Sequence, residues 1–196
     1  MKKTQKTALK KTGNAAKPQN HAAVTERPGS WHLARTETER RLSDFEFRLE
    51  RLAQAYYRWK AACLAAVCDV PLTGDDVAVL NVVRMGDEPK RLSEVGQLLN
   101  RVDVPNLQYA TRKLVRAGLI ETEGNSSRKE TRYRATPAGR SVTEAYAALR
   151  AATLPPMLEA LDGWVAKSET TSIHLDLISS LYAQAAQVAI TKRHQP

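Results

Sequence analysis

The thirty residues RLSEVGQLLNRVDVPNLQYATRKLVRAGLI, beginning at Arg91, constrain the fold more than any other part of the chain. Leu92, Val95, Leu98 and Leu99 fall at helical spacing and make one short amphipathic helix. Asn100, Arg101 and Val102 form a three-residue connection. Asp103 suits the N-cap of a second helix, and Pro105 is tolerated because first-turn N–H groups have no helical acceptor. Leu107, Ala110 and Leu114 give that helix a buried face, and Gly118 ends it. Two short helices joined by a tight turn, the second closed by glycine, read as a helix-turn-helix.

The flanks extend this motif. After Leu119 and Ile120, the segment ETEGNSSRKETRYRATP reads as a strand, a turn around Gly124, Asn125 and Ser126, and a returning strand near Thr131 to Ala135. Thr136 caps a further helix with Pro137 at its first position, and Val142, Tyr146 and Leu149 continue it. Pro155 and Pro156 are expected to interrupt that helix or begin another. Met157, Leu158, Leu161, Trp164 and Val165 keep apolar spacing to about Lys167, and a polar run follows. A last helix, from about Ser172 to about Lys192, puts Ile173, Leu177, Leu181 and Val188 on one face, widened by Leu175, Ile178 and Tyr182. So broadly apolar a helix is expected to be buried.

Upstream, Thr73 is a natural N-cap for a short helix carrying Val77, Leu80 and Val83, which Gly86, Asp87, Glu88 and Pro89 terminate. Before it, Leu42, Phe45, Leu49, Leu52, Tyr56, Trp59 and Cys63 repeat in steps of three and four, a heptad seam on a helix from about Glu37 to about Cys68. A seam that long needs a partner, and dimerisation is the economical one; packing inside its own subunit is the alternative.

Charge divides the chain again. The net charge is +9, with +7 on residues 1–36, −3 on 37–89, +6 on 90–150 and −1 on 151–196. The first block is Lys, Thr, Gly, Pro and Asn with little to bury, so it reads as a flexible arm, either a solubilising tail or one that grips DNA. A secretory signal would need an apolar stretch after the lysines, and none follows. Elsewhere the longest small-apolar run, Ala61 to Cys68, is far short of the roughly 20 residues of a spanning helix. Two cysteines are too few for a disulfide scaffold and suit a reduced compartment. The expected location is the cytoplasm, with no membrane partner.

The organisation that follows is a basic arm (1–36), an N-terminal dimerisation helix (37–72), a winged helix-turn-helix lobe (73–136) and C-terminal dimerisation helices (137–192). The fold class is mainly α with a small β-hairpin wing. This order resembles the MarR family of bacterial winged-helix regulators from roughly Glu37 to Thr191. The matching segments are LSEVGQLL in the first helix of the motif, KLVRAGLI at the entry to the wing, and ATPAG where the family usually has Leu-Thr-x-x-Gly. The family's wing usually carries Asp-x-Arg before its second strand, whereas Ser127, Arg128 and Lys129 stand here. The resemblance implies a homodimeric, sequence-specific transcriptional regulator, a repressor on a pseudo-palindromic operator. Because many members are released from DNA by phenolic or other small effectors, it also implies a small-molecule pocket.

The side chains off the apolar face of the second helix suit major-groove reading. Asn106, Gln108 and Tyr109, near its N-terminal end, are the candidates for base contacts; Arg112 can reach a base or a phosphate, while Lys113 and Arg116 are phosphate ligands or solvated charges. In the wing, Arg128, Lys129, Arg132 and Arg134 suit a narrow minor groove, or else a solvated hairpin. Arg132 and Arg134 share a strand face, so one pair of the four points at DNA.

Catalysis finds little support. His21, His32, His174 and His194 show no metal spacing, and there is no Gly-rich phosphate loop, so neither metal nor cofactor is expected. Cys63 and Cys68 are not a CxxC pair; a buried inert thiol at Cys63 competes with redox sensing. Trp31, Tyr56, Tyr57, Trp59 and Trp164 line a small-molecule pocket or belong to the core. An architectural, nonspecific DNA-binding protein remains a competing reading, favoured by the arm. A winged-helix protein-interaction module is another, disfavoured by the +6 of the central segment.

Overall fold

The computed structural model of the protein describes residues 32–124 and 131–193. Along them run α1 (Glu37–Ala65), α2 (Gly74–Arg84), β1 (Lys90–Arg91), α3 (Leu92–Leu98), α4 (Val104–Arg116), β2 (Ile120–Glu123), β3 (Arg132–Ala135), α5 (Pro137–Glu159) and α6 (Trp164–Lys192). The arm up to Trp31 and the wing turn from Asn125 to Glu130, with Arg128 and Lys129, lie outside the described residues.

Residues up to Arg48 and residues from Leu49 onward form two compact units. In the first, α1 begins on a capping box. The Thr36 hydroxyl accepts from the Glu39 N–H at 3.2 Å, and the Glu39 carboxylate accepts from the Thr36 and Arg35 N–H groups at 2.8 and 2.7 Å. Those backbone donors hold the Glu39 carboxyl below the usual carboxylate range. Leu42 and Phe47 are exposed.

In the second unit, Thr73 caps α2 as its sequence implied, accepting from the Asp76 N–H at 3.3 Å while Asp76 accepts from the Thr73 N–H at 2.9 Å. The core beneath the helix-turn-helix joins Val79, Leu80 and Val83 of α2, Val95 of α3, Leu107, Ala110 and Leu114 of α4, and Leu119 and Ile120. A smaller cluster of Cys63, Leu64, Val77 and Tyr146 ties the end of α1 to α2 and α5. Cys68, Leu72 and Val142 pack against both.

The corner between wing and α5 explains the Thr-x-x-Gly spacing physically. Thr136 Oγ1 donates to the Gly118 carbonyl at 2.6 Å and accepts from the Gly139 N–H at 3.0 Å, so one hydroxyl joins the end of α4 to the start of α5. Gly139 lies so close to the Leu119 backbone that a Cβ there would sit 1.9 Å from the Leu119 carbonyl oxygen. At Gly118 the backbone takes φ +70°, the left-handed conformation that closes α4.

Four features depart from the sequence reading. The sheet has three antiparallel strands in the order β1-β3-β2, because Lys90 and Arg91 pair with Tyr133 and Arg132; two residues are too few for strand alternation to announce themselves. Pro155 and Pro156 neither interrupt α5 nor begin a helix, but lie inside it. Proline's fixed φ is itself helical, and the Ala151 and Ala152 residues whose carbonyls lose an N–H partner are both exposed to water. Helix α6 begins at Trp164 rather than near Ser172, since the polar run contains no Gly or Pro and marks a wet surface, not a break. Finally, α6 buries no side chain in this chain: Leu177 and Leu181 are 58% and 62% exposed. The expected burial of this helix is therefore not met within the chain.

Replacing Gly139 by Ala should destabilise the protein by more than about 2 kcal/mol, because backbone rather than a flexible side chain must yield. A urea midpoint shifted by less than the equivalent of about 0.5 kcal/mol would show that the corner tolerates the methyl.

Candidate nucleic-acid interface

Helix α4 has two faces. Leu107, Ala110, Thr111 and Leu114 are buried. Thr111 is the one polar member, and its hydroxyl donates to the carbonyls of Leu107 and Gln108 at 2.9 and 3.1 Å, which makes its burial tolerable. Position 111 belongs to the i, i+3, i+4, i+7 row that starts at Leu107, so periodicity points to it even though residue type does not. Outward stand Asn106, Tyr109, Arg112 and Arg116, all exposed, with Gln108 half-buried between the faces.

Lys113 is placed differently from its neighbours. Its ammonium lies 2.7 Å from Asp76 Oδ2, and the Asp76 side chain is nearly buried at 3% exposed. The lysine therefore bolts α4 to the capping box of α2. Sequence spacing on α4 alone carries no signal for this, since the partner lies on another helix.

At the other end of α4, Asp103 occupies the N-cap position but makes no side-chain bond to the helix backbone, in contrast to its expected role. Its carboxylate is taken by Arg101 instead. Arg101 Nε donates to Oδ1 at 2.8 Å, a second guanidinium N–H donates to Oδ2, and Asn106 Nδ2 donates to Oδ2 at 3.1 Å. Arg101 holds the Asp103 carboxyl well below the usual carboxylate range, with Asn106 adding to the effect. The same guanidinium lies 3.4 Å from Asp75 Oδ1 at the start of α2. In the turn, Asn100 takes φ +51°, and its amide donates to Ser179 Oγ of α6 at 2.9 Å.

The described wing cations are engaged near its base. Arg132 donates to the Pro89 carbonyl at 3.0 Å, and Arg134 pairs with Glu121 at 2.7 Å and lies 4.0 Å from Glu123. Behind the helix-turn-helix, an open cavity of about 300 Å³ is lined by Tyr56, Trp59, Asn81, Tyr146 and Arg150 among others. Burial pushes the Tyr146 phenol up to about 12, so it stays a neutral hydrogen-bonding group throughout the physiological range. Of the aromatic residues singled out in the sequence, Tyr56 and Trp59 line this cavity. Tyr57 instead packs against the start of α2, where a Cβ on Gly74 would meet its backbone oxygen at 2.7 Å, and Trp164 opens α6. Cys63 is buried, with its thiol pushed up by burial, and Cys68 is half-buried. Among the described residues no group of His, Cys, Asp and Glu could hold a metal ion, and no helix is long and apolar enough to cross a membrane.

Residues 72–139 match the family model of a winged helix DNA-binding domain. The structure is similar to the reduced form of AbfR bound to DNA, with 18% identity, 78% of this chain and 99% of that one covered, and a TM-score of 0.61. The fold is that of MarR-family transcription regulators. Sco5413 of Streptomyces coelicolor, a MarR family regulator, is 20% identical over 74% of this chain and 96% of its own, with a TM-score of 0.55. Staphylococcus aureus MarR, solved with salicylate and kanamycin, is 12% identical over 75% and 95%, with a TM-score of 0.59. No curated protein matches the chain in sequence. The winged helix match over residues 72–139 takes in α2, α3, α4 and the β2–β3 hairpin.

Removing the Lys113 ammonium leaves Asp76 buried without its cation. Lys113→Ala should therefore lower stability by about 2 kcal/mol, in addition to any effect on DNA. Unchanged thermal melting would show instead that water takes the lysine's place.

Proposed function

We propose that the protein is a homodimeric, sequence-specific DNA-binding regulator that represses by occupying a pseudo-palindromic operator. Residues 73–136 form the DNA-binding lobe, and 37–72 with 137–192 the dimerisation helices. The observation that carries this reading is the outward row of α4, where Asn106, Tyr109, Arg112 and Arg116 stand exposed on a helix whose other face is packed into the core. In the major groove, Asn106, Gln108 and Tyr109 contact bases, Arg112 a base or phosphate, and Arg116 a phosphate. Arg128 and Lys129 supply the wing's contacts to the minor groove or backbone. Arg132 commits one guanidinium N–H to Pro89 and Lys113 its ammonium to Asp76, and each contacts DNA with the donors that remain.

Support for the dimer comes from α6, whose Ile173, Leu177, Leu181 and Val188 are all more than half exposed in the single chain. A contiguous apolar face of that extent is characteristic of an interface, and a two-fold axis through it would match two half-sites. An effector is supported by the cavity, which offers aromatic faces from Tyr56, Trp59 and Tyr146 and one cation, Arg150. That lining fits a small aromatic acid, the class to which the salicylate of the Staphylococcus aureus MarR complex belongs.

Selection from random duplexes tests the central reading. Gln108→Ala should relax base preference at one operator position by about 1 to 3 kcal/mol, whereas Arg116→Ala should weaken all duplexes alike and lower the salt slope by about one. Equal affinity of the unaltered protein for selected and random duplexes would favour the architectural alternative. In sedimentation at micromolar concentration, Leu177→Lys combined with Leu181→Lys should convert a dimer to a monomer; a monomeric parent protein overturns the assembly. Salicylate should bind and lower operator affinity, and Arg150→Ala should remove that response while leaving operator binding intact.

A further inference from the structure

The carboxamide of Asn106 has two chemically different ends, and Asp103 selects between them. An ionised carboxylate only accepts hydrogen bonds, so the end facing it must be the nitrogen, which donates to Oδ2 at 3.1 Å. Arg101 keeps that acceptor in place by occupying both carboxylate oxygens, and its side chain, 17% exposed, is held in turn beside Asp75. The Asn106 oxygen and the second amide proton are then left for other partners; among the described residues nothing donates to that oxygen.

In the major groove only adenine and cytosine present an amino donor; guanine and thymine present acceptors. Adenine adds an acceptor, N7, beside its amino group, which matches the oxygen and the one remaining amide proton. Resting on the reading that α4 enters the major groove, we propose that Arg101 and Asp103 are positioning residues that turn the Asn106 oxygen outward, so that the base Asn106 reads is adenine first and cytosine second. Neither Arg101 nor Asp103 needs to touch DNA to decide this.

The full chain is first used to select duplexes, and the position whose preference disappears with Asn106→Ala is identified. Replacing adenine there by purine, which lacks only the amino group, should cost the unaltered protein roughly tenfold in affinity and cost the Asn106→Ala protein little. Asp103→Asn is nearly isosteric but can donate as well as accept, so it frees the carboxamide to turn over. It should narrow the gap between adenine and guanine or thymine at that position alone, leaving the salt slope unchanged, and should add nothing to Asn106→Ala in the double variant. Arg101→Lys, which keeps the charge but loses the fork, should act in the same direction more weakly.

A preference for guanine or thymine at the Asn106-dependent position overturns this proposal while leaving DNA reading by α4 intact. So does a folded Asp103→Asn protein with unchanged preference, or a purine substitution without effect. The purine measurement needs only the unaltered protein and Asn106→Ala, a change at an exposed position, and decides the matter even if the Asp103 and Arg101 variants fold poorly. If the unaltered protein selects no sequence at all, the regulator reading falls as well.

Discussion

Everything that α4 can present to a partner depends on the close backbone approach at Leu119 and Gly139. At this corner the end of α4, the first strand of the wing and the start of α5 converge, and the Thr136 hydroxyl spans them by donating to Gly118 and accepting from Gly139. A side chain at position 139 would hold the elements apart, and the wing would no longer leave the helix-turn-helix at its present angle. Beneath the corner, Leu114, Leu119 and Ile120 share a core with α2 and α3, so the geometry of the outward face rests on buried apolar contacts as well as on that hydroxyl.

Several charges of the central segment are engaged by carboxylates of the protein itself. Arg101 is shared between Asp75 and Asp103, Lys113 is bound to Asp76, Arg134 to Glu121, and Arg140 to Asp87, which also holds Arg84 of α2. Net charge read from the sequence therefore overstates what this segment offers at short range, although the summed field still acts at a distance. Arg112 and Arg116 are the exposed arginines of α4, and they lie on the side away from the core.

Elements whose causes are local were legible from the residues alone. Thr73 and Thr136 cap because a hydroxyl three residues ahead of an N–H needs no tertiary information, and Gly118 stops α4 for a similarly local reason. Among the departures, some have distant causes and others arise from competition between near neighbours. Lys90 and Arg91 are a strand only because Arg132 and Tyr133 lie alongside, Lys113 turns inward only because Asp76 is there, and Asp103 gives up its capping bond because Arg101 competes for it. The apolar residues of α6 were evident, but periodicity identifies a surface that seeks cover without saying which molecule supplies it.

The separation of duties on α4 has an evolutionary consequence. Leu107, Ala110, Thr111, Lys113 and Leu114 are each tied to the rest of the fold, so changes there are filtered by stability before any effect on recognition is felt. Tyr109, Arg112 and Arg116 carry no such obligation, and a lineage can vary them freely without endangering the scaffold. Asn106 stands between the two groups: it can be exchanged at little cost to folding, but its inheritance is coupled to that of Asp103 and Arg101, so these three should drift as a set.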